Sequence, residues 1–158
     1  MSTAFSERLS VEDLIPVLGQ QIRVNIRTGT GVPLVLCNGI GASLEVLDPL
    51  VEHLNPDTTV VRFDVPGTGA SPDSPLPYGF PYMAAVLGGL LKKLNLDGQG
   101  VDILGLSWGG GLAQQFALWR PGRVRRLVLV ATGTGSVMVP ARPRVLWHML
   151  TQIGRAHV

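Results

Sequence analysis

A serine flanked by glycines is the clearest candidate for chemistry in this sequence. The string Gly-Leu-Ser-Trp-Gly occupies residues 105–109, directly after the apolar run 101–104 and at the start of a helical pattern over 108–119. This strand–turn–helix setting is typical of a nucleophile elbow, where small residues permit a very tight turn. We therefore predict that Ser107 is a strained, exposed nucleophile near a helix N-terminus, with Gly105 and Gly109 lying against each other.

Ser107 also has a plainer interpretation, in which it caps a glycine-rich helix start and does no chemistry. The catalytic interpretation requires an oxyanion hole, because charge developing on a carbonyl oxygen needs preorganised donors. One donor would be the backbone N–H of Trp108. The second would be the N–H of Ile40, which stands between two glycines in a turn that follows the apolar run 34–37.

No cofactor and no metal site are predicted. The glycine-rich loop 64–71 lacks the lysine of a phosphate-binding P-loop and the glycine spacing of a dinucleotide fingerprint. We expect a structural turn there, in which Asp64 caps backbone amides. Cys37 has no second cysteine to pair with and lies in an apolar run, so a buried thiol is favoured over a reactive one.

Charged residues are unevenly distributed along the chain. Residues 1–102 contain all 11 acidic residues, whereas residues 103–158 contain 7 arginines and no acid. Arg123, Arg125 and Arg126 could form a phosphate-binding patch, but no exposed aromatics are interleaved with them and an apolar strand follows directly. A solvated loop is favoured, and no nucleic-acid partner is predicted.

Length and composition indicate a globular domain. The chain has 158 residues, 46% of them hydrophobic and 15% charged, with 20 glycines and 12 prolines. Such a composition excludes a disordered chain, and the glycines lack the three-residue period of collagen. No apolar run approaches the roughly 20 residues of a membrane span, and residues 1–8 show no signal-peptide pattern, so we expect a cytoplasmic protein.

Short runs rich in Val, Ile and Leu alternate with helical patterns. The predicted strands are 16–18, 21–27, 33–38, 59–64, 101–104 and 126–131, and the predicted helices are 43–54, 82–96 and 108–119. Ser43 is the expected N-cap of the first helix, and Leu112, Phe116 and Trp119 are expected on one face of the third. This alternation predicts a mostly parallel sheet with helices on both faces and a hairpin at its edge.

These motifs resemble the α/β-hydrolase family, and more closely its intracellular poly(3-hydroxyalkanoate) depolymerases for medium-chain polyesters. The serine string and the Asp-Val-Pro-Gly loop at 64–67 are shared by many hydrolases and support only the fold. The Ser-Trp-Gly-Gly string at 107–110 and the Gly-Ser-Val-Met-Val-Pro string at 135–140 are more particular. Many family members have His-Gly where this chain has Asn38-Gly39.

The resemblance implies a three-layer α/β-hydrolase sandwich, truncated after about the sixth strand and the start of the lid. In this family the catalytic acid and then the histidine follow the nucleophile in the chain. No Asp or Glu follows Asp102, and the histidines after Ser107 are His148 and His157. His148 has no orienting acceptor, so a partly buried lid histidine is favoured over a base. We therefore expect an inactive fragment.

Three parts of the chain are distinguished. Residues 1–135 are predicted to form the N-terminal part of the hydrolase core, and residues 136–152 to begin a lid. The apolar stretch 137–139 with Trp147 has two open interpretations, an acyl pocket or ordinary lid core. The last six residues, Ile-Gly-Arg-Ala-His-Val, look like the translation of a common sequencing-adapter read, so 153–158 are interpreted as an artefact.

The resemblance further implies a serine hydrolase that cleaves the ester bonds of medium-chain poly(3-hydroxyalkanoate) through an acyl-enzyme. Its partners would be an ester substrate and a polyester granule surface. Two alternatives stay open, namely another lipase or carboxylesterase on the same fold and a non-catalytic module that binds such surfaces. Acyl chain length and oligomeric state are not predicted.

Overall fold

A computed structural model of the chain describes residues 10–133, in which six strands form one sheet of order β1-β2-β4-β3-β5-β6. The strands are β1 (Ser10–Val17), β2 (Gln20–Arg27), β3 (Leu34–Cys37), β4 (Val60–Phe63), β5 (Val101–Leu106) and β6 (Val124–Val130). The helices are α1 (Asp48–His53), α2 (Phe80–Lys93) and α3 (Trp108–Trp119), with 3-10 turns at Leu44–Leu47 and Pro121–Arg123. The predicted lid start at 136–152 and the predicted artefact at 153–158 lie outside the described residues.

The sheet is parallel where the candidate site lies and antiparallel at one edge. Strand β3 pairs in parallel with β4 and β5, and β5 pairs in parallel with β6. Strands β1 and β2 form an antiparallel hairpin, and β2 joins the sheet by pairing antiparallel with β4. The predicted edge hairpin is therefore confirmed, although its first strand begins at Ser10 rather than at residue 16.

Helices cover both faces of the sheet. Because successive side chains of a strand point to opposite faces, Val35 and Cys37 of β3 face α2 and α3, whereas Leu36 faces the other way. Leu47 and Val51, from the first 3-10 turn and α1, cover Leu36. Both faces of β3 and β4 are thus removed from water, as expected for near-continuous apolar runs, whereas β6 at the sheet edge is exposed among the described residues. The predicted α/β class with helices on both faces is confirmed.

Two expectations about helix ends hold only in part. Ser43 occupies the N-cap position before the first 3-10 turn, as expected, but its side chain makes no capping hydrogen bond. The N–H of Leu44 donates instead to Asp64 Oδ1 at 2.7 Å. In α3, Phe116 is buried but Trp119 is 53% exposed. Trp119 is the last residue of the helix, where α3 leaves the core.

The expectation of a solvated arginine loop is also wrong for Arg125, which lies in β6. Arg126 lies in the same strand, as the predicted strand 126–131 requires, and both side chains are exposed. Arg125 Nε donates to Asp102 Oδ1 at 2.8 Å across the β5–β6 pair. This hydrogen bond lowers the pKa of the Asp102 carboxyl, against a smaller opposing effect of its partial burial. A cross-strand ion pair therefore explains why charged residues occur in a strand.

Cys37 provides a simple test of the core around the site. It is buried in the described structure, and burial raises the pKa of its thiol to about 12. We expect folded protein at about pH 8 to react with a disulfide reagent at least about 100-fold more slowly than protein unfolded in urea, because the thiolate is the reactive form. Rapid reaction of the folded chain, followed spectroscopically, would contradict this placement.

Candidate active site

Ser107 is the single residue that joins β5 to α3. Its backbone has φ 52° and ψ −116°, a region that a residue with a side chain rarely adopts and that costs about 1–3 kcal/mol. Two backbone hydrogen bonds hold it there, from Ser107 N–H to the Val130 carbonyl and from Gly110 N–H to the Ser107 carbonyl, both 2.9 Å. The side chain is exposed and makes no capping hydrogen bond, so the plainer interpretation as a helix cap is not supported.

The glycines around Ser107 are required by backbone contacts. A Cβ on Gly105 would lie 2.6 Å from the Gly109 carbonyl oxygen and 2.5 Å from the Gly110 Cα. A Cβ on Gly109 would overlap the carbonyl oxygens of Cys37 and Asn38, at the end of β3. Gly105 thus lies against the first turn of α3, and Gly109 allows that turn to rest on the neighbouring strand.

The loop after β3 lies beside Ser107. A Cβ on Gly39 would be 3.8 Å from the Ser107 Cβ. The loop turns tightly, with Gly41 at φ 70° and the Ala42 N–H donating to the Gly39 carbonyl at 3.2 Å. Parallel strands end at the same edge, which brings this loop and the serine together although about 68 residues separate them.

Two backbone amides near Ser107 have no intrachain acceptor in the described region. Trp108 is the first residue of α3, where helix geometry leaves the N–H unpaired. Residues 10–133 contain no hydrogen-bond acceptor for the N–H of Ile40, and the Ile40 side chain is 56% exposed. Neither N–H is therefore paired within residues 10–133, whereas the Gly39 N–H is bonded to the Asn38 side chain at 2.8 Å.

An aromatic cluster packs around Trp108, and no prediction from the sequence pattern included it. The ring of Trp108 lies 5.1 Å from that of Phe80 and 6.4 Å, edge to face, from that of Tyr78. The Tyr78 hydroxyl donates to the Pro66 carbonyl at 2.6 Å. The pKa of Tyr78 is raised, mainly by burial and to a smaller extent by the negative charge of Asp73. The proline-rich loop, residues 66–79, is thereby attached to the start of α3.

Asp64 organises the loops behind the site. It is fully buried, and its Oδ2 accepts the Ala70 N–H and an N–H of Arg23, each at 3.1 Å. Gly69, at φ 52°, leaves room for the carboxylate, which a Cβ at that position would overlap. The expectation that Asp64 caps backbone amides is confirmed, and the role of Arg23 was missed because its partners are distant in sequence.

Glu45 connects this cluster to the surface and predicts an acid-dependent stability. Its carboxylate lies 2.5 Å from Arg23 Nη2, and that hydrogen bond, assisted by Ser43, lowers the pKa of Glu45 to about 2. A pKa depressed by folding stabilises the protein above the unfolded value, and this contribution disappears as the pH falls from about 4.5 to about 2.

We therefore expect Glu45→Gln to lower the free energy of unfolding at about pH 6 and to match the original chain near pH 2. Because the side chain is about half exposed, the difference at pH 6 should stay below about 1 kcal/mol. Urea denaturation at both pH values measures it, with the exposed Glu52→Gln as the control. A constant difference at both pH values would contradict the prediction.

Residues 10–133 do not bring a complete catalytic triad together. Their one histidine, His53, is exposed on α1 and its Nδ1 lies 2.6 Å from the Pro49 carbonyl oxygen. The same region contains no group of three or more His, Cys, Asp or Glu side chains that could hold a metal ion. No helix in it is long and apolar enough to span a membrane. Among the described residues, the candidate site therefore consists of Ser107, the loop 39–43 beside it and the first turn of α3.

The fold is that of a large enzyme family. A family model described as alpha/beta hydrolase fold matches residues 32–158, and the chain belongs to this family. Among solved structures, a hydrolase from Pseudomonas aeruginosa PA01 superimposes with a TM-score of 0.74 at 28% identity, covering 89% of this chain and 51% of that one. The family membership and the fold implied by the sequence motifs are confirmed.

The curated relatives of this chain include individual hydrolases of named activity. A poly(3-hydroxyalkanoate) depolymerase from Ectopseudomonas oleovorans is 49% identical over 132 residues, which are 82% of this chain and 46% of the relative. A 2-hydroxy-6-oxo-2,4-heptadienoate hydrolase from Pseudomonas putida is 35% identical over 119 residues, 72% of this chain and 42% of that relative. The chain spans about half the length of the curated relatives it matches.

Proposed function

We propose that this chain carries the nucleophile and the oxyanion hole of a serine ester hydrolase. The observation that carries the proposal is the geometry of Ser107, which is exposed at φ 52° between β5 and α3. The backbone holds the serine in this strained position without using its hydroxyl as a cap. Strain of this kind persists where the surrounding structure imposes it, and it is concentrated at functional sites.

In the proposed reaction Ser107 Oγ attacks the ester carbonyl carbon while a base removes its proton. The negative charge on the carbonyl oxygen is stabilised by the N–H groups of Trp108 and Ile40. The ester C–O bond then breaks, the alcohol leaves with a proton, and the acyl group stays on Ser107. Water attacks this acyl-enzyme, releasing the carboxylic acid and restoring the serine.

The base and its orienting acid are not among the described residues. The sequence has no Asp or Glu after Asp102, whereas the family order places the acid after the nucleophile. The reference for activity is the protein expressed from the genomic reading frame, meaning the gene as read from genomic DNA with whatever codons follow residue 152. We expect the 158-residue chain alone to hydrolyse p-nitrophenyl octanoate with a kcat at least about 10³-fold below that of this protein. Equal turnover by the two, in a stopped assay with purified proteins, would contradict this.

The proposed substrate class is medium-chain poly(3-hydroxyalkanoate), and a granule surface would be the macromolecular partner. Support comes from the 49% identity to a depolymerase and from the Ser-Trp-Gly-Gly string, which lies within the described elbow. Another lipase or carboxylesterase activity is the second candidate, because an esterase from Thermogutta terrifontis superimposes on 88% of this chain with a TM-score of 0.68.

One experiment separates these possibilities. The protein from the genomic reading frame is incubated with amorphous medium-chain polyester granules and with p-nitrophenyl octanoate, and released 3-hydroxy acid and nitrophenol are measured. Activity on both substrates supports a depolymerase, and activity on the soluble ester alone supports a carboxylesterase. Absence of both activities, together with no labelling of Ser107 by a fluorophosphonate, refutes the hydrolase and favours a surface-binding module.

A further inference from the structure

Asn38 is buried at the junction between the loop that contains Ile40 and the first turn of α3. Its side-chain Oδ1 accepts the Gly39 N–H at 2.8 Å, and its Nδ2 donates to the Ser43 carbonyl at 2.6 Å. The residue is 8% exposed, so water competes weakly for these bonds. Both ends of the loop 39–43 are therefore attached to one amide group.

This arrangement leaves the first amide of the loop, that of Gly39, already paired. Asn38 Oδ1 occupies the N–H of Gly39, which lies across from Ser107, and leaves the next N–H, that of Ile40, without an acceptor in residues 10–133. An unrestrained glycine-flanked loop could present either amide, because Gly39 and Gly41 tolerate many backbone conformations. The side chain of Asn38 thus favours one register of the loop.

Main-chain packing fixes the position of Asn38 itself. Its carbonyl oxygen is one of the two that a Cβ on Gly109 would overlap, so it lies against the turn that follows Ser107. Displacement of Asn38 would move the loop relative to the serine. The same residue therefore sets both the conformation of the loop and its distance from the nucleophile.

We propose that Asn38 is a positioning residue, whose amide holds the Ile40 N–H in place for the oxyanion formed at Ser107. This inference rests on the proposed esterase function. It assigns a specific task to the Asn38-Gly39 sequence that precedes Ile40. An asparagine side chain is suited to it, because one primary amide both accepts and donates a hydrogen bond in the same plane.

The expected signature is a loss of transition-state stabilisation with little loss of substrate binding. In the protein from the genomic reading frame, Asn38→Leu keeps the side-chain size and removes both hydrogen bonds. We expect kcat for p-nitrophenyl octanoate to fall about 100-fold and KM to change less than about 3-fold, since an oxyanion donor acts mainly in the transition state. The inhibition constant of octylboronic acid, whose serine adduct imitates the oxyanion, should rise by a similar factor.

The control is Gln20→Met, which also removes a buried primary amide at nearly constant size. Gln20 is 7% exposed and its Nε2 donates to Ser74 and Tyr82, in the hairpin region. Its loss should lower stability comparably and leave kcat and boronate inhibition within about 2-fold, as expected for a residue remote from the site. Equal effects of the two substitutions on kcat would overturn the assignment.

A second measurement does not depend on esterase activity. In the 158-residue chain, hydrogen exchange followed by NMR should show the Gly39 amide protected in the original sequence and at least about 10-fold less protected in Asn38→Leu. An unprotected Gly39 amide in the original sequence would overturn the inference even if the esterase is confirmed. An inactive genomic protein with a protected Gly39 amide would refute the proposed function and, with it, the oxyanion role of Asn38. The same result would confirm that Asn38 holds the conformation of the loop 39–43.

Discussion

Ser107→Ala is expected to reduce the kcat for p-nitrophenyl octanoate by at least about 10⁴-fold in the protein expressed from the genomic reading frame. The reason is that no other described group can form the acyl-enzyme, and residual catalysis would come only from binding and the oxyanion amides. Folding should be unaffected, because the Ser107 side chain is exposed and makes no capping bond. Fluorophosphonate labelling should disappear together with the activity.

A matched control is Ser74→Ala, a serine of the proline-rich loop whose hydroxyl donates to the Leu76 carbonyl at 2.7 Å. It should retain activity within about 2-fold, since it contacts neither the elbow nor the loop 39–43. Retention of more than about a tenth of the activity in Ser107→Ala would show that another residue is the nucleophile. The strained backbone would then require a different explanation.

Gly109→Ala is expected to destabilise the 158-residue chain by about 3 kcal/mol or more. The added Cβ would overlap the carbonyl oxygens of Cys37 and Asn38, and backbone atoms cannot rotate away as a side chain can. α3 and β3 must therefore separate. The clash should outweigh the gain of about 1 kcal/mol that alanine brings to a helix interior.

The control for this substitution is Gly122→Ala, in the 3-10 turn before β6, where a Cβ would meet no atom within 4 Å. It should leave the free energy of unfolding within about 0.5 kcal/mol, as for most surface changes. Urea denaturation of the three proteins measures both values. A Gly109→Ala chain within about 1 kcal/mol of the original would show that the first turn of α3 does not rest on β3.

Local sequence pattern was sufficient for most of the fold. Continuous apolar runs such as 34–37 predict strands, because a parallel strand is buried on both faces. The alternation of these runs with helical periods predicts a mostly parallel sheet. The sequence pattern predicted the ends of helices and strands less well. It did not predict that Asp64, rather than the Ser43 side chain, accepts the N–H of Leu44. Asp64 lies 21 residues after Ser43 in the sequence, and only the tertiary fold brings it to this helix start.

At the site, Ser107 and Ile40 show the same contrast between what the local sequence predicts and what depends on the tertiary structure. The glycines at 105 and 109 mark a tight turn that few other residues could form, so a strained serine at 107 follows from local sterics. That the loop 39–43 lies beside this serine depends on β3 and β5 being neighbours in the sheet. Strand order is a property of the whole fold, and the two segments carry no local signal of each other.

By itself, the sequence determined the α/β class, the family and the strained turn at Ser107, because burial periodicity and backbone sterics act over a few residues. Only the tertiary structure decided that Arg125 pairs with Asp102, that Arg23 and Asp64 support the loops, and that Asn38 pairs with the Gly39 amide, while the Ile40 amide has no acceptor within residues 10–133. These are hydrogen bonds of buried or cross-strand groups. Their partners are chosen by proximity after the chain has folded, so residue type alone does not specify them.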